Sequence, residues 1–523
     1  MQTQVLIIGG GATGTGLARD LALRGVDCIL VEKEDINAGA SGGNHGLLHS
    51  GARYIGSDPA AARECRDEGE LIKRLAPHCV EDTGGLFVAL SGDDETYVAD
   101  FMDRCQQCGI EAQAVDSKEA REMEPVLSDR IIAAYAVPDA SVDPFMLSLD
   151  NLADAQAHGA RVLRHTRIAA FEKSGARIER VMLENCLTGE RFSVEAEQIV
   201  NATGAWAGRV AAMAGARINV LCSQGSLMIT QNRIAHRVIN RLRQASDADI
   251  LVPAGTVSIF GTTSVRIDDP DKTSPTVAEV DAMLPDGIAM VPKLAETRFI
   301  RAYAGGRPLV QTAPTSDDRA VSRGFALIDH GAEGIDNFIT ITGGKLTTYR
   351  LMAEKTANRV CQRLGVKATC LTRTTPLPAT TSGKYTEPGL TPKMWFQKKD
   401  KSDLLLCECE MVPTSVVKEI STRIHSEGGR PSLRELGQRS RVGKGPCQGA
   451  FCSLRMTAHL YNEGLIGADQ GLEELRDFLN ERWRGVHPLL WGQAVAQAEL
   501  QEALHCGLFG LELVKAPKNS DCT

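Results

Sequence analysis

Short apolar runs recur through the first ~370 residues, and most close on glycine or a polar residue: Val5–Ile8, Cys28–Val31, Gln198–Val200, Ser226–Ile229 and Phe338–Ile341. Runs this short, bounded by turn residues, predict buried strands, and the segments between them read as helices. The alternation predicts an α/β architecture over residues 1–373. A Pro/Thr-rich stretch begins at Thr374, with Pro388 and Pro392 beyond it, and predicts a linker over 374–399. Beyond it, Val416, Val417, Ile420 and Ile424 fall at helical spacing within a cysteine-bearing module, 400–460. Leu472, Leu475, Phe478 and Leu479 repeat that spacing in the tail, 461–523, which is expected to be helical. Within it, Leu504–Val514 reads as a core helix in preference to an interface helix. No internal repeat and no low-complexity block interrupts the pattern.

At 523 residues the length suits roughly three domains. A net charge of -8 argues against a nucleic-acid partner. There is no run of about 18 uncharged apolar residues, so no membrane span is expected. The chain enters its first apolar strand directly after Gln4, without a secretion signal, which places it in the cytoplasm or on the cytoplasmic face of a membrane. In that compartment the 15 cysteines read as thiols or metal ligands. Cys28, Cys186 and Cys361 lie in apolar surroundings and are expected to be buried small hydrophobes.

The first strand runs into Gly9-Gly-Gly-Ala-Thr-Gly14, and Gly9, Gly11 and Gly14 fit G-x-G-x-x-G. The first glycine permits a tight turn, the second lets backbone approach a pyrophosphate, and the third lets helix pack on strand. The following helix directs its N-terminal amides at the phosphates. The second strand ends at Glu32, 18 residues after Gly14, where a carboxylate suits a ribose hydroxyl. Strand, turn, helix, strand and acid in order predict a Rossmann-type dinucleotide site. A glycine-rich polar tract, Gly39–Tyr54, and a strand-then-Ala-Thr-Gly tract, Ile199–Trp206, follow.

Cys407 and Cys409 form C-x-C, and Cys447 and Cys452 form C-x-x-x-x-C, with 37 residues between the pairs. Four thiolates can hold an iron–sulfur cluster or zinc. Zinc sites more often use C-x-x-C pairs, and both spacings here differ. Glycines around the second pair would offer backbone N–H groups to cluster sulfurs. The nearby Arg430, Arg434, Arg439, Arg441 and Lys444 would either offset a negative cluster or form a solvated face.

The tracts Gly39–Tyr54, Asn201–Trp206, Arg301–Val310 and Thr342–Arg350 resemble those of FAD-dependent glycerol-3-phosphate dehydrogenases, within the D-amino-acid-oxidase-like flavoproteins. The resemblance implies an FAD-binding Rossmann-type domain with an interleaved α+β substrate domain over 1–373. FAD would meet Gly9, Gly11, Gly14, Glu32, Ser41, His45, Ala202, Gly204, Gly344 and Thr347. Arg307 and Lys345 would contact the substrate phosphate, with Arg53 and Tyr54 beside them, and His49 is the candidate base. One departure stands out: where aerobic-type members carry a histidine in G-S-H, this chain has Gly225-Ser-Leu-Met228, so Leu227 cannot be the base.

The cysteine module, 400–460, is similar to the small, mainly helical [2Fe–2S] domain of bacterioferritin-associated-ferredoxin type. With that module the chain resembles the A-subunit family of bacterial anaerobic glycerol-3-phosphate dehydrogenases. The resemblance implies oxidation of sn-glycerol 3-phosphate to dihydroxyacetone phosphate. It further implies two partners: a flavoprotein, the B-type partner, and an iron–sulfur protein, the C-type partner. The latter docks the assembly to the inner membrane and passes electrons to menaquinone or another quinone. The alternative is part of an FAD/[2Fe–2S] amino-acid or opine dehydrogenase, which would need a carboxylate clamp in place of a phosphate site. A non-enzymatic redox sensor is the third reading.

Overall fold

The computed structural model describes residues 1–310, 324–379, 385–386, 389–427 and 429–513. β1 (Gln2–Ile8) lies between β2 (Cys28–Val31) and β3 (Arg191–Asn201), and both pairings are parallel. Its apolar run is continuous because both faces are covered, as parallel sheets require. Val5 and Ile7 face α1 (Ala12–Leu23) and α2 (Tyr349–Leu364), whereas Leu6 and Ile8 face a second cluster with Val181, Leu183 and Val194. α1 and α2 pack so closely that a Cβ on Gly16 would come within 2.9 Å of the Tyr349 ring. Cys28 and Cys361 are buried as expected, and Cys186 is half-buried.

Among the described residues this sheet has eight strands, and a second sheet has nine. In the second, β4 (Val220–Thr230) pairs antiparallel with β5 (Phe299–Val310) over nearly its whole length. The parallel strands of the first sheet and the largely antiparallel second sheet agree with the expected α/β fold class. β5 delivers Arg307 to the seam between them.

The cysteine module contains a short antiparallel pair, Leu405–Cys407 with Val412–Pro413, and three helices: α3 (Thr414–Ser426), α4 (Leu433–Arg439) and α5 (Cys452–Asn462). Val416, Val417, Ile420 and Ile424 pack inward, as their spacing predicts. The stretch 374–399, read as a linker, holds a helix at Leu390–Lys398 and buries Leu377 and Tyr385, the latter in the module core; residues 380–384 and 387–388 lie outside the described residues. α6 (Ala468–Val486) of the tail adds Leu475 and Phe478 to that same core. The segment Leu504–Val514 differs from expectation. Through Leu513 it breaks into short turns, with Leu508 and Phe509 exposed and Leu511 buried, while Val514 lies outside the described residues.

A buried ionic network fastens the module to the nucleotide-binding layer. Asp35, three residues beyond Glu32, accepts from Arg164 at 3.0 Å and Arg439 at 2.9 Å. Glu427 and Glu435 of the module pair with Arg164 in turn, and Glu435 also meets His165. The basic stretch is therefore no free solvated face: Arg439 is buried, Arg441 pairs with Glu410, Arg434 reaches Glu34 and Arg430 reaches Glu474. Burial works against the Asp35 carboxylate, but Arg439 and Arg164 outweigh it and hold its pKa down at about 2. A carboxylate with a depressed folded-state pKa contributes stability that is present above its ordinary value of 3.8 and lost as pH falls towards 2. Asp35→Ala leaves two buried guanidinium groups short of a partner and is expected to destabilise the chain by about 3–5 kcal/mol. Urea unfolding at neutral pH, followed by tryptophan fluorescence, measures this, and the difference from wild type should shrink below pH 4.

Candidate functional site

One cleft of about 880 Å³ runs along the ends of the parallel strands into the seam between the sheets. At the nucleotide end, Gly9 has φ 111°, and a Cβ there would meet the Ala202 carbonyl oxygen at 2.6 Å. A Cβ on Gly14 would sit 1.9 Å from the Gly9 carbonyl oxygen, so the first and third glycines of the motif close the turn on each other. Gly11 N-caps α1 and opens onto the cleft, and Ser41 Oγ accepts the Ala12 N–H at 2.9 Å beside it. Glu32 accepts from the Gly10 and Glu34 amides at 2.7 and 3.0 Å, which fixes its carboxylate at the cleft wall. Desolvation there raises its pKa. A side-chain-free turn, a helix N-terminus and a fixed carboxylate in line fit a dinucleotide: turn and helix at the pyrophosphate, acid at a ribose.

The far end of the cleft is cationic. Arg307 donates Nη1 to the Thr263 carbonyl at 3.0 Å and Nη2 to Thr262 Oγ1. Arg53 pairs with buried Asp249 at 2.8 Å, and Lys345 Nζ lies 4.9 Å above the Tyr54 ring. His45 and His49 lie among these groups, their rings 6.1 Å apart. Burial, Arg307 and Arg53 push the His45 pKa down to about 3. Burial, His45, Arg53 and Lys345 put that of His49 well below its ordinary value. Both imidazoles are therefore neutral near pH 7. The Leu47 amide donates to His45 Nδ1 at 3.1 Å, which assigns the His45 proton to Nε2 and makes that atom a donor.

Of the residues expected at this cleft, Gly9, Gly11, Glu32, Ser41, His45, His49, Arg53, Tyr54, Ala202, Gly204, Arg307, Gly344 and Lys345 line it. Gly14 and Thr347 stand behind the wall. Gly14 shapes the turn, and buried Thr347 accepts the His49 amide at 3.3 Å. Leu227 is buried in β4 opposite Tyr303, consistent with its exclusion as a base.

Sequence reading missed the parts that aim the cations: Asp249 under Arg53, Thr262 and Thr263 under Arg307, and Gly225 behind it. A Cβ on Gly225 would meet the Arg307 guanidinium at 2.1 Å. These residues lie 40 to 200 positions from their partners and carry no local motif; the polar Thr262-Thr-Ser264 step after an apolar strand was the one available signal.

The four module cysteines converge. Cys407 and Cys409 sulfurs are 3.8 Å apart, as are Cys409 and Cys447, and Cys452 hydrogen-bonds with Cys407. Backbone amides of Glu410 and Gly443 donate to Cys407, and those of Gly449 and Phe451 donate to Cys447. Neighbouring thiols and these amides hold both sulfurs towards the thiolate, Cys407 down to about 3 and Cys447 to about 6. Cys407 and Cys452 are buried, Cys447 is half-buried and Cys409 is exposed. Close packing of the loop helps: a Cβ on Gly445 would meet Cys409 Sγ at 2.5 Å.

The family model for FAD dependent oxidoreductases matches residues 4–359, which takes in the whole cleft and stops before the module. The A subunit of anaerobic glycerol-3-phosphate dehydrogenase from Escherichia coli strain K12 is 44% identical over 532 residues, covering 98% of this chain and 97% of the relative. The A1 subunit of the Haloferax volcanii enzyme is 38% identical, covering 99% and 92%.

The chain belongs to the anaerobic glycerol-3-phosphate dehydrogenase A-subunit family.

It thus belongs to the FAD-dependent oxidoreductases, and the family match takes in the cleft. The fold agrees with a solved glycerol-3-phosphate dehydrogenase from Bacillus halodurans complexed with FAD, at TM-score 0.63 and 20% identity over 94% of this chain and 96% of the other. Glycine oxidase from Bacillus cereus matches a smaller part, 69% of this chain and 95% of the other, at TM-score 0.56 and 21% identity. Gly14→Ala drives a Cβ into main chain, which cannot yield as a side chain could. The purified variant is expected to lose most of its bound flavin, measured as the ratio of visible flavin absorbance to protein.

Proposed function

We propose that the chain oxidises sn-glycerol 3-phosphate to dihydroxyacetone phosphate and delivers the electrons through a [2Fe–2S] centre to partner subunits. The observation that carries this reading is the convergence of Arg53, Arg307 and Lys345 on two neutral histidines at the inner end of the flavin cleft. A guanidinium fork with an ammonium beside it suits a phosphate dianion. Membership in the A-subunit family supports that choice over an amino acid or opine.

FAD in the cleft supplies the hydride acceptor, so C2 of the substrate gives up a hydride and its hydroxyl gives up a proton. Arg307, braced by Thr262 and Thr263, anchors the phosphate and so orients C2. His49 is the proton acceptor: its ring is neutral, whereas His45 presents an N–H. Arg53 and Lys345 oppose protonation of His49 in the free protein. A bound phosphate dianion offsets the same two cations and lifts the basicity of His49 when substrate is in place.

Cys407, Cys409, Cys447 and Cys452 would hold the cluster, which supplies one-electron transfer between the flavin and an external acceptor. A single tetrahedral zinc needs four sulfurs mutually about 3.8 Å apart, given Zn–S bonds of about 2.3 Å. Among the described residues no three of these sulfurs lie mutually within 4.8 Å, a spread that suits two irons better than one zinc. The relatives are named as subunits, which supports a multi-subunit enzyme. The partners proposed are a flavoprotein of the B type and an iron–sulfur protein of the C type, which holds the assembly to the cytoplasmic face of the inner membrane and reduces quinone. Among the described residues no helix is long and apolar enough to cross a membrane.

Dye reduction by FAD-loaded protein is expected to depend on glycerol 3-phosphate and not on glycerol or a panel of amino acids; the opposite pattern removes the proposal. Arg307→Ala is expected to raise KM for glycerol 3-phosphate by roughly 10- to 100-fold, as loss of a charge-assisted contact implies. His49→Ala should instead lower kcat by roughly 10²–10⁴-fold with flavin content kept. Metal analysis is expected to give about two irons and two sulfides per chain.

A further inference from the structure

Arg482, on α6, is the one guanidinium of the tail sealed from water among the described residues, with 7% of its surface exposed. Neither its Nε nor its Nη1 has a hydrogen-bond partner, and no carboxylate lies within ion-pair distance among the described residues. A buried cation left in this state is costly unless another negative charge is close. The guanidinium stacks on Phe478, 4.9 Å from the ring centroid. Phe478 in turn fills the space beside two loop glycines, where a Cβ would meet it at 2.7 Å on Gly443 and at 2.5 Å on Gly449. Arg482 Nη2 itself lies 3.1 Å from where a Gly443 Cβ would stand. Gly443 and Gly449 are the residues whose amides donate to Cys407 and Cys447. Burial and Arg301 oppose the charge on Arg482, whereas Glu481 and negative charge on Cys452 and Cys447 favour it.

The same helix touches the flavin layer. Glu481 pairs with Arg301 of β5 at 2.6 Å, six residues before Arg307. Gly485 lets α6 lie on that strand, because a Cβ there would meet the Ala302 carbonyl oxygen at 2.6 Å. Arg482 also lines a chamber of about 1230 Å³, together with Gly43, Gly305 of β5, and Lys444 and Gln448 on either side of Cys447.

We propose that Arg482 is the positioning residue for electron exit: a fixed positive charge, supplied by the tail and not by the cysteine module, that raises the reduction potential of the centre held by the four cysteines. This rests on the reading of those cysteines as a [2Fe–2S] site. Such a centre is negatively charged and becomes more so when it accepts an electron, so a nearby unpaired cation favours the reduced form. Arg482 does not line the cleft that holds Arg307 and Gly9, so its charge is expected to act on the centre and not on substrate binding.

The test is dye-mediated redox titration of the full, flavin-loaded chain under anoxic conditions, with the paramagnetic signal of the reduced centre as readout. Arg482→Gln is expected to move the midpoint to lower potential and to shift the electron-sharing equilibrium between flavin and centre roughly tenfold towards flavin. KM for glycerol 3-phosphate stays at the wild-type value. Arg482→Lys keeps the charge and restores most of the shift. Glu481→Gln removes the carboxylate paired with Arg301, whose charge still reaches Arg482; it moves the midpoint the other way, and it decides the matter if Arg482→Gln does not retain iron. Unchanged midpoints in the variants that retain iron overturn the role of Arg482 while leaving the cluster in place. A wild-type chain that holds zinc and gives no paramagnetic signal overturns the cluster itself.

Discussion

The separation between the cleft and the four converging cysteines is fixed by buried charge. Asp35, Arg164, Arg439, Glu427 and Glu435 form a closed ionic joint between the end of β2 and the cysteine module. An apolar contact of equal area could slide. Buried ion pairs cannot slide without leaving a charge unmatched, which is why they specify geometry better than they add stability. Asp35 lies three residues from Glu32, so the carboxylate that suits the ribose and the one that holds the module sit on one short segment. α6 makes a second joint, with Glu481 on Arg301 and Gly485 against Ala302, and β5 carries this to Arg307. Arg307, the G-x-G-x-x-G turn and the four converging cysteines thereby belong to one mechanical unit.

The inner end of the cleft is organised by charge as well. Arg53 and Arg307 are aimed by Asp249, Thr262 and Thr263, and Gly225 leaves room behind the guanidinium. Burial, with their field and that of Lys345, keeps two histidines neutral among three cations. On the proposed function, an anionic substrate that offsets those cations would make His49 a better proton acceptor.

How much of this was readable in the residues follows from the range of the interactions. The G-x-G-x-x-G turn and Glu32 act within one βαβ unit, and sequence order is enough to find them. The cysteine pairs and the helical spacing around Ile420 are local in the same sense. The tracts around His49, Arg307 and Lys345 could be identified by resemblance, but not their convergence, which needs β4 and β5 in register and the two sheets at a seam. The aiming residues had no signal of their own, since an Asp at 249 or a Gly at 225 reads as ordinary until its distant partner is known. For Arg439 the residues left two readings open, an offset for a cluster or a solvated face, and its partner Asp35 lies 404 residues away. The run Leu504–Val514 reads as a core helix, whereas the structure turns Leu508 and Phe509 outward.

Phe478 belongs by sequence to the tail, and Tyr385 to the stretch before the module, yet both are core residues of the cysteine module. Recombination between such chains is constrained accordingly. A module cut at its apparent boundaries would lose part of its own interior and would keep Arg439 with Glu427 but without Asp35. Grafting the cysteine region of one relative onto the flavin region of another therefore has to carry both joints, the one at Asp35 and the one at Glu481 and Gly485.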